Sequence, residues 1–223
     1  MNWPTTAELC EVVPPPPGYG YSVPSAADVP RVVRALHEWA PAMAVGNASC
    51  FLREDFYTGH VNLQGSRGAD YFVLQFTKGS EWAGMLAVER DRDAQVLYGR
   101  VGVIGVPYRG TGLASTFAPL MEAMGVAMGL GMVYGLATLQ VPYMQQAFEK
   151  AGWQLVGIMP GFDRELVQPA VIKRVFEAIY AKVLVPDSEI LYPSAHGMTR
   201  STHRLFDLLY GMPMSDCAPA TLR

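Results

Sequence analysis

Apolar and polar positions recur with different periods along the chain, and the changes of period mark its elements. Val29, Val32, Val33, Leu36 and Trp39 return at spacings of three, four and seven residues. Preceded by Ser25-x-x-Asp28, they predict an amphipathic helix with its own start signal. Residues 41–69, with glycines at 46, 59, 65 and 68, read only as loop and short helix. From Asp70 the period shortens. Residues 71–77 read as a strand apolar on both faces, Lys78-Gly79-Ser80 as a turn and 82–89 as a returning strand. Asp91-Arg92-Asp93 turns the chain again into 95–106, which completes a three-stranded antiparallel meander.

A helical face follows in Leu113, Phe117, Leu120, Met121, Met124 and Met128, closed by Gly129 and Gly131. Its methionines suit core filling better than a cofactor box. Residues 133–141 predict a strand. Pro142 then opens a short helix with Met144, Ala147, Phe148 and Ala151 inward, and Gly152 stops it. Residues 153–159 read as strand. In 171–185 the β-branched residues favour strand and the Ala, Glu and Lys content favours helix; the order of surrounding elements selects strand.

Outside this pattern lie two flanks. Residues 1–24 contain Pro14 to Pro17 followed by Gly18-Tyr19-Gly20-Tyr21, expected as a stiff, extended surface arm. In 186–223, Ser201 is expected to cap a short helix whose Leu205, Phe206, Leu208 and Leu209 form an apolar face, with Pro213 beyond its end. Packing on the parent domain is the expected use of that face; a homodimer contact or a lid is the alternative. Residues 25–185 form the central domain.

Composition narrows the function classes. The 223 residues are 50% hydrophobic and 17% charged, enough for one substantial core. Seventeen Lys and Arg stand against twenty Asp and Glu, a formal charge of −3 without clustered cations, so neither nucleic acid nor an anionic membrane surface is an expected partner. Cys10, Cys50 and Cys217 lack disulfide or metal-ligand spacing, and with no secretory signal pattern at the start a reducing cytoplasm is expected. Asn47-Ala48-Ser49 is a glycosylation sequon that such a compartment leaves unmodified. Between Leu113 and Val141 only Glu122 is charged, yet Pro119, four glycines and that glutamate suit a buried helix and strand better than a membrane span. His37, His60, His196 and His203 stand apart, so neither a nucleophilic triad nor a metal cluster is read.

The chemistry concentrates where the third meander strand ends. An apolar β-branched run, Val103 to Val106, passes through Pro107-Tyr108 into Arg109-Gly110-Thr111-Gly112-Leu113-Ala114 and then into the helix. Two glycines let the backbone turn sharply and approach a ligand, and free N–H groups at a helix start face whatever lies in the loop. No Gly-Lys-Ser/Thr follows, and the three glycines of the dinucleotide fingerprint are missing. The spacing resembles the acyl-CoA pyrophosphate loop of the GNAT superfamily of N-acetyltransferases, Gln/Arg-x-x-Gly-x-Gly/Ala, with Arg109, Gly112 and Ala114 at the defining positions. Phe148-Glu149-Lys150-Ala151-Gly152-Trp153 resembles that superfamily's aromatic-Glu-Lys-x-Gly-aromatic signature, about 40 residues on and in the right order.

The resemblance implies an α/β fold: a mixed, mostly antiparallel sheet of about six or seven strands, splayed between the fourth and fifth, with helices on both faces. It implies acetyl-CoA, or another acyl-CoA, as cosubstrate, held by Ile104, Val106, Arg109, Gly110, Thr111, Gly112, Leu113 and Ala114, without a metal. Backbone groups of Ile104 and Val106 would meet the pantetheine, and an N–H near Ile104 would polarise the thioester carbonyl. The implied reaction is direct attack by the amine of a small molecule. Where many members carry a tyrosine acid this chain has Phe148, and where many carry a glutamate it has Tyr98 or a neighbour. Tyr143 is the nearest hydroxyl with a route to the sulfur, and Tyr98 is placed to relay a proton through water. Glu177 and Tyr180, three apart in the closing strand, are the candidates for the acceptor site: one that points inward meets it, and otherwise both are surface residues. An acyl-CoA-binding sensor without transfer activity, or transfer of a longer acyl chain, are the other functions this pattern allows.

Overall fold

The structure, a computed structural model, describes residues 2–66 and 68–211; Pro213 and Cys217 lie outside them. The chain divides into two compact units, 1–184 and 185–223.

In the first unit, strands β1 (Gly20–Ser22), β2 (Val61–Asn62), β3 (Tyr71–Lys78), β4 (Glu81–Asp91), β5 (Val96–Ile104), β6 (Met132–Thr138), β7 (Gln154–Gln168) and β8 (Val171–Val183) form one eight-stranded sheet. Its order is β1-β3-β4-β5-β6-β8-β7, with β2 paired to β3 off the path. The predicted meander is β3-β4-β5, and its strands are apolar on both faces because helices cover both. On one side α1 (Thr6–Val12), α4 (Phe117–Ala127) and α5 (Tyr143–Lys150) pack over Phe72, Leu74, Phe76, Leu86 and Leu97. On the other, α2 (Val29–Trp39) and α3 (Glu54–His60) bury Val32, Leu36 and Tyr57 against Val73, Met85, Ala87 and Val101.

The helix signals act as expected. The Asp28 carboxylate accepts from the Ser25 N–H and hydroxyl, and these bonds hold it below the usual carboxylate range. At the end of α5, Gly152 N donates to Glu149 O and Trp153 N to Phe148 O, a left-handed stop clasped by the stacked rings of Phe148 and Trp153 at 4.6 Å. The aromatic-Glu-Lys-x-Gly-aromatic signature is thus a helix stop with its own hydrophobic clasp. Glu122, the lone charge of 113–141, accepts from Trp153 Nε1 at 2.7 Å and pairs with Lys182 Nζ at 2.8 Å. No helix among the described residues is long and apolar enough to cross a membrane.

Several expectations change. The sheet has eight strands rather than six or seven, because β1 and β2 add short edges that no apolar alternation announces. Residues 2–24 do not run as an extended tether. Thr5 and Glu8 form a capping box that starts α1, Leu9 is buried, β1 pairs with β3, and Trp3 stacks on Phe72 at 5.0 Å with Arg90 over its ring. The strand predicted over 153–159 continues to Gln168, so the β7-β8 hairpin is far longer than its apolar run. The chain from Leu113 to Thr116 is a 3-10 turn, and the regular helix begins at Phe117.

In the second unit, α6 (Arg200–Tyr210) is capped by Thr199, whose hydroxyl accepts from Thr202 N, rather than by Ser201. No residue of α6 is buried, and Leu205 and Leu208 are 51% and 80% exposed. Of the apolar face expected to be buried, Leu205 and Leu208 are exposed while Phe206 and Leu209 are half-buried.

Candidate functional site

β5 ends at Ile104, and a 3-10 turn at Val106–Tyr108 leads into the glycine loop. Gly110 and Gly112 have φ of +76° and +88°, a region that side-chain-bearing residues rarely enter. Nothing lies within 4 Å of where a Cβ on Gly110 would stand, so the loop is open on that side. Thr111 Oγ1 donates to Tyr108 O at 2.7 Å and Ser115 Oγ to Gly112 O at 2.6 Å, which pins the loop from both ends. The backbone N–H groups of residues 110–114 have no acceptor among the described residues, and they precede the helical 113–127 stretch whose positive end faces the loop. Free N–H groups ahead of a helix are chemically suited to an anion. Arg109 is exposed, with Nε 3.4 Å from Ile104 O.

Beside the loop the sheet comes apart. β5 and β6 run parallel only from Val96↔Met132 to Gly99↔Gly135. Beyond that, β5 stays with β4 as far as Ile104, and β6 stays with β8 as far as Thr138. A bulge opposite Ala87 and Val88 leaves Arg100 as the extra residue of β5, and a bulge re-aims the strand that carries it. Gly105 N donates to Ala83 O, so ladder alternation turns the backbone groups of Gly102 and Ile104 away from β4 and into the gap. Ile104 was expected there; Gly102 was not, although it lies one period of two before Ile104.

The gap opens on the α2 face into a cavity of about 250 Å³, lined by Tyr98, Arg100, Leu136, Thr138, Asp163, Glu165 and Glu177 among others. Tyr98 and Tyr134 stack cross-strand at 4.7 Å, their rings nearly parallel. Burial pushes the Tyr98 phenol up to about 12, so it stays protonated, and its oxygen accepts from Asn47 Nδ2 at 3.2 Å. Arg100 reaches Glu89 at 2.8 Å and both Asn47 oxygens at 2.9 Å, with its guanidinium over the Tyr98 ring. Asn47, read from the sequence only as a sequon, therefore ties the 41–52 segment to the sheet, and its own N–H donates to Asp163 at 2.7 Å.

Glu177 pairs in register with Thr138, and its carboxylate faces the cavity at 7% exposure with no hydrogen bond or ion pair among the described residues. Burial first, then the charges of Glu165 and Asp163, raise it to about 7. Glu165 is raised by the same burial and by Asp163. Asp163 and Glu165 escaped the sequence reading because they lie beyond the apolar part of β7, where a three-residue irregularity between Met159 and Asp163 swings them inward.

Tyr180 is not brought to the cavity. Three residues from Glu177 on a strand of period two, it faces the other side, where its ring stacks on Phe148 and its hydroxyl donates to Glu149 at 2.8 Å. Phe148 is likewise core: it lies against the backbone of Gly135, where any side chain would collide with its ring. Tyr143, in the first turn of α5, is 74% exposed and has no partner among the described residues. Also among the described residues, no group of three or more His, Cys, Asp or Glu is disposed to hold a metal ion.

Neither a protein-family model nor a curated protein matches the sequence. Solved structures do match its fold. The ribosomal-protein-S18-alanine N-acetyltransferase of Escherichia coli is similar over 78% of this chain and 99% of its own, at a TM-score of 0.58 and 14% identity. A Salmonella typhimurium protein described as a putative acetyltransferase, solved with its cofactor acetyl-CoA, covers 80% and 99% at 0.57 and 13%. A Vibrio cholerae spermidine N-acetyltransferase covers 74% and 94% at 0.59 and 11%. The fold is that of the GNAT N-acetyltransferases. In this GNAT fold the glycine loop follows the end of β5, and the carboxylate-lined cavity opens where β5 and β6 part.

Proposed function

We propose that this protein transfers an acetyl group from acetyl-CoA to the amine of a small molecule. The observation that carries the reading is the parting of β5 and β6 after Gly99 and Gly135, with the glycine loop following β5 and a carboxylate-lined cavity on one face. Unpaired N–H groups at 110–114 suit a pyrophosphate, and the outward-turned backbone of Gly102 and Ile104 suits an amide-bearing arm lying in the gap. Arg109 adds a cation at the loop's edge. With Val106 starting the turn after β5, these residues and Gly110 to Ala114 form the cosubstrate's half of the site.

A thioester carried through the gap would present its carbonyl near Ile104, whose N–H is free to polarise it. The acceptor would then enter from the α2 face, past Tyr98 and Glu177. We assign protonation of the departing thiolate to Tyr143, which has an unengaged hydroxyl just beyond β6. Tyr180 is left to the core.

The test is to titrate purified protein with acetyl-CoA by calorimetry and then to follow free thiol and acetylated product over a panel of small amines. Binding followed by amine-dependent thiol release is the expected result. Binding without release for any amine would favour an acyl-CoA sensor, and no binding would remove the reading altogether.

A further inference from the structure

We propose that Glu177 is the proton acceptor for the attacking amine, and that the acceptor arrives as an ammonium ion drawn to Glu177, Glu165 and Asp163. This rests on the acetyl-transfer reading and adds to it the acceptor's charge and a named base.

The geometry is specific to this chain. Glu177 is 7% exposed, and its carboxylate oxygens open onto the cavity with no protein donor among the described residues. Three carboxylates from β7 and β8 meet at the cavity wall: Asp163, Glu165 and Glu177. Asp163 is anchored by the N–H groups of Asn47 and Arg164. The cations facing the same space are Arg100 from β5, already engaged by Glu89, and Arg164, which is exposed and forms no ion pair among the described residues. Tyr98 stays a neutral phenol beside them. An arriving ammonium supplies the counter-charge and the donor that Glu177 lacks. The burial, and after it the repulsion from Glu165 and Asp163, that raise Glu177 to about 7 also suit it to remove a proton near neutral pH.

The step balances as follows. The ammonium gives one proton to Glu177, and the freed nitrogen lone pair attacks the thioester carbonyl carbon. The N–C bond forms, the C–S bond breaks, Tyr143 protonates the departing thiolate, and the nitrogen's second proton passes through solvent to restore Tyr143. Amide and free thiol result, and Glu177 passes its proton to solvent as product leaves.

Thiol release from acetyl-CoA is compared for wild-type protein and Glu177→Gln with a panel of primary alkylamines, from about pH 6 to about pH 10. The variant is expected to lose roughly 10²–10⁴-fold in kcat near pH 7. The deficit should narrow as the pH nears the free amine's own pKa, about 10.4 for a lysine-like amine, where no proton acceptor is needed. Acetyl-CoA affinity, read by calorimetry, should not change. Glu165→Gln should raise the amine KM more than it lowers kcat. A Glu177→Gln protein with the wild-type rate and pH profile, or with a deficit that does not narrow at high pH, would overturn the assignment. Wild-type protein that binds acetyl-CoA but releases no thiol with any amine would overturn the transfer reading, and this one with it.

Discussion

At Gly112, φ of +88° demands a residue without a side chain, although a Cβ there would meet only Pro16 Cγ at 3.9 Å. Gly112→Val is expected to weaken acetyl-CoA binding at least about tenfold, since one charge-assisted hydrogen bond is worth about 1.5–3 kcal/mol. Unchanged affinity in a folded variant, by calorimetry, would remove the loop from the site. Glu177 predicts a stability effect of opposite sense. Its folded value of about 7 lies above its ordinary 4.5, so between those values the folded protein holds a proton that the unfolded chain has released. Stability therefore falls as pH rises through that window, and the loss is complete above about 7. Glu177→Gln should melt higher than wild type at about pH 8, with the gap closing near pH 4; equal melting at both would mean that the carboxylate is not strained. The glycine loop was legible because its demands are local. Glu177 was legible as a candidate, and of the two candidates in β8 it is the one that faces the cavity, since an odd spacing on a strand separates its face from that of Tyr180. Asp163 and Glu165 lie just past an irregularity in β7 that Pro160-Gly161, with Gly161 at φ of +64°, does mark in the sequence, but the strand read there stopped at 159.

Among the elements, α1 shows how a strong signal masks a weaker one. Pro14 to Pro17 suggested an extended arm, while Thr5-x-x-Glu8, a complete capping box, sat upstream and Leu9 supplied the buried contact. Leu9 is 1% exposed, so Leu9→Ala should cost about 2–5 kcal/mol, measured by denaturant unfolding. A cost under about 0.5 kcal/mol, the size of an ordinary surface substitution, would mean that α1 does not belong to the core. The α4 and α5 helices were legible because apolar period and glycine stop agree, and Gly129 and Gly152 both take positive φ where those helices end. The reach of β7 was not, because its outer half alternates half-buried and exposed residues without an apolar run.

For the whole molecule, the order of elements follows from period except at 171–185, where the surrounding order decides for strand, and the covering of both sheet faces was implied by the resemblance that two motifs in sequence order carry. The parting of β5 from β6 is a different kind of property. It depends on which neighbour each strand keeps after Gly99 and Gly135, and that choice is made by β4 and β8 together with the bulge at Arg100. Backbone hydrogen exchange with and without acetyl-CoA reads this region directly, because groups that face an empty gap exchange and groups bonded to a ligand do not. Added acetyl-CoA should slow exchange in Gly102, Ile104 and residues 110–114 and leave β1 and β3 as they were. Protection centred elsewhere, or none at saturating acetyl-CoA, would contradict the placement of the thioester between β5 and β6.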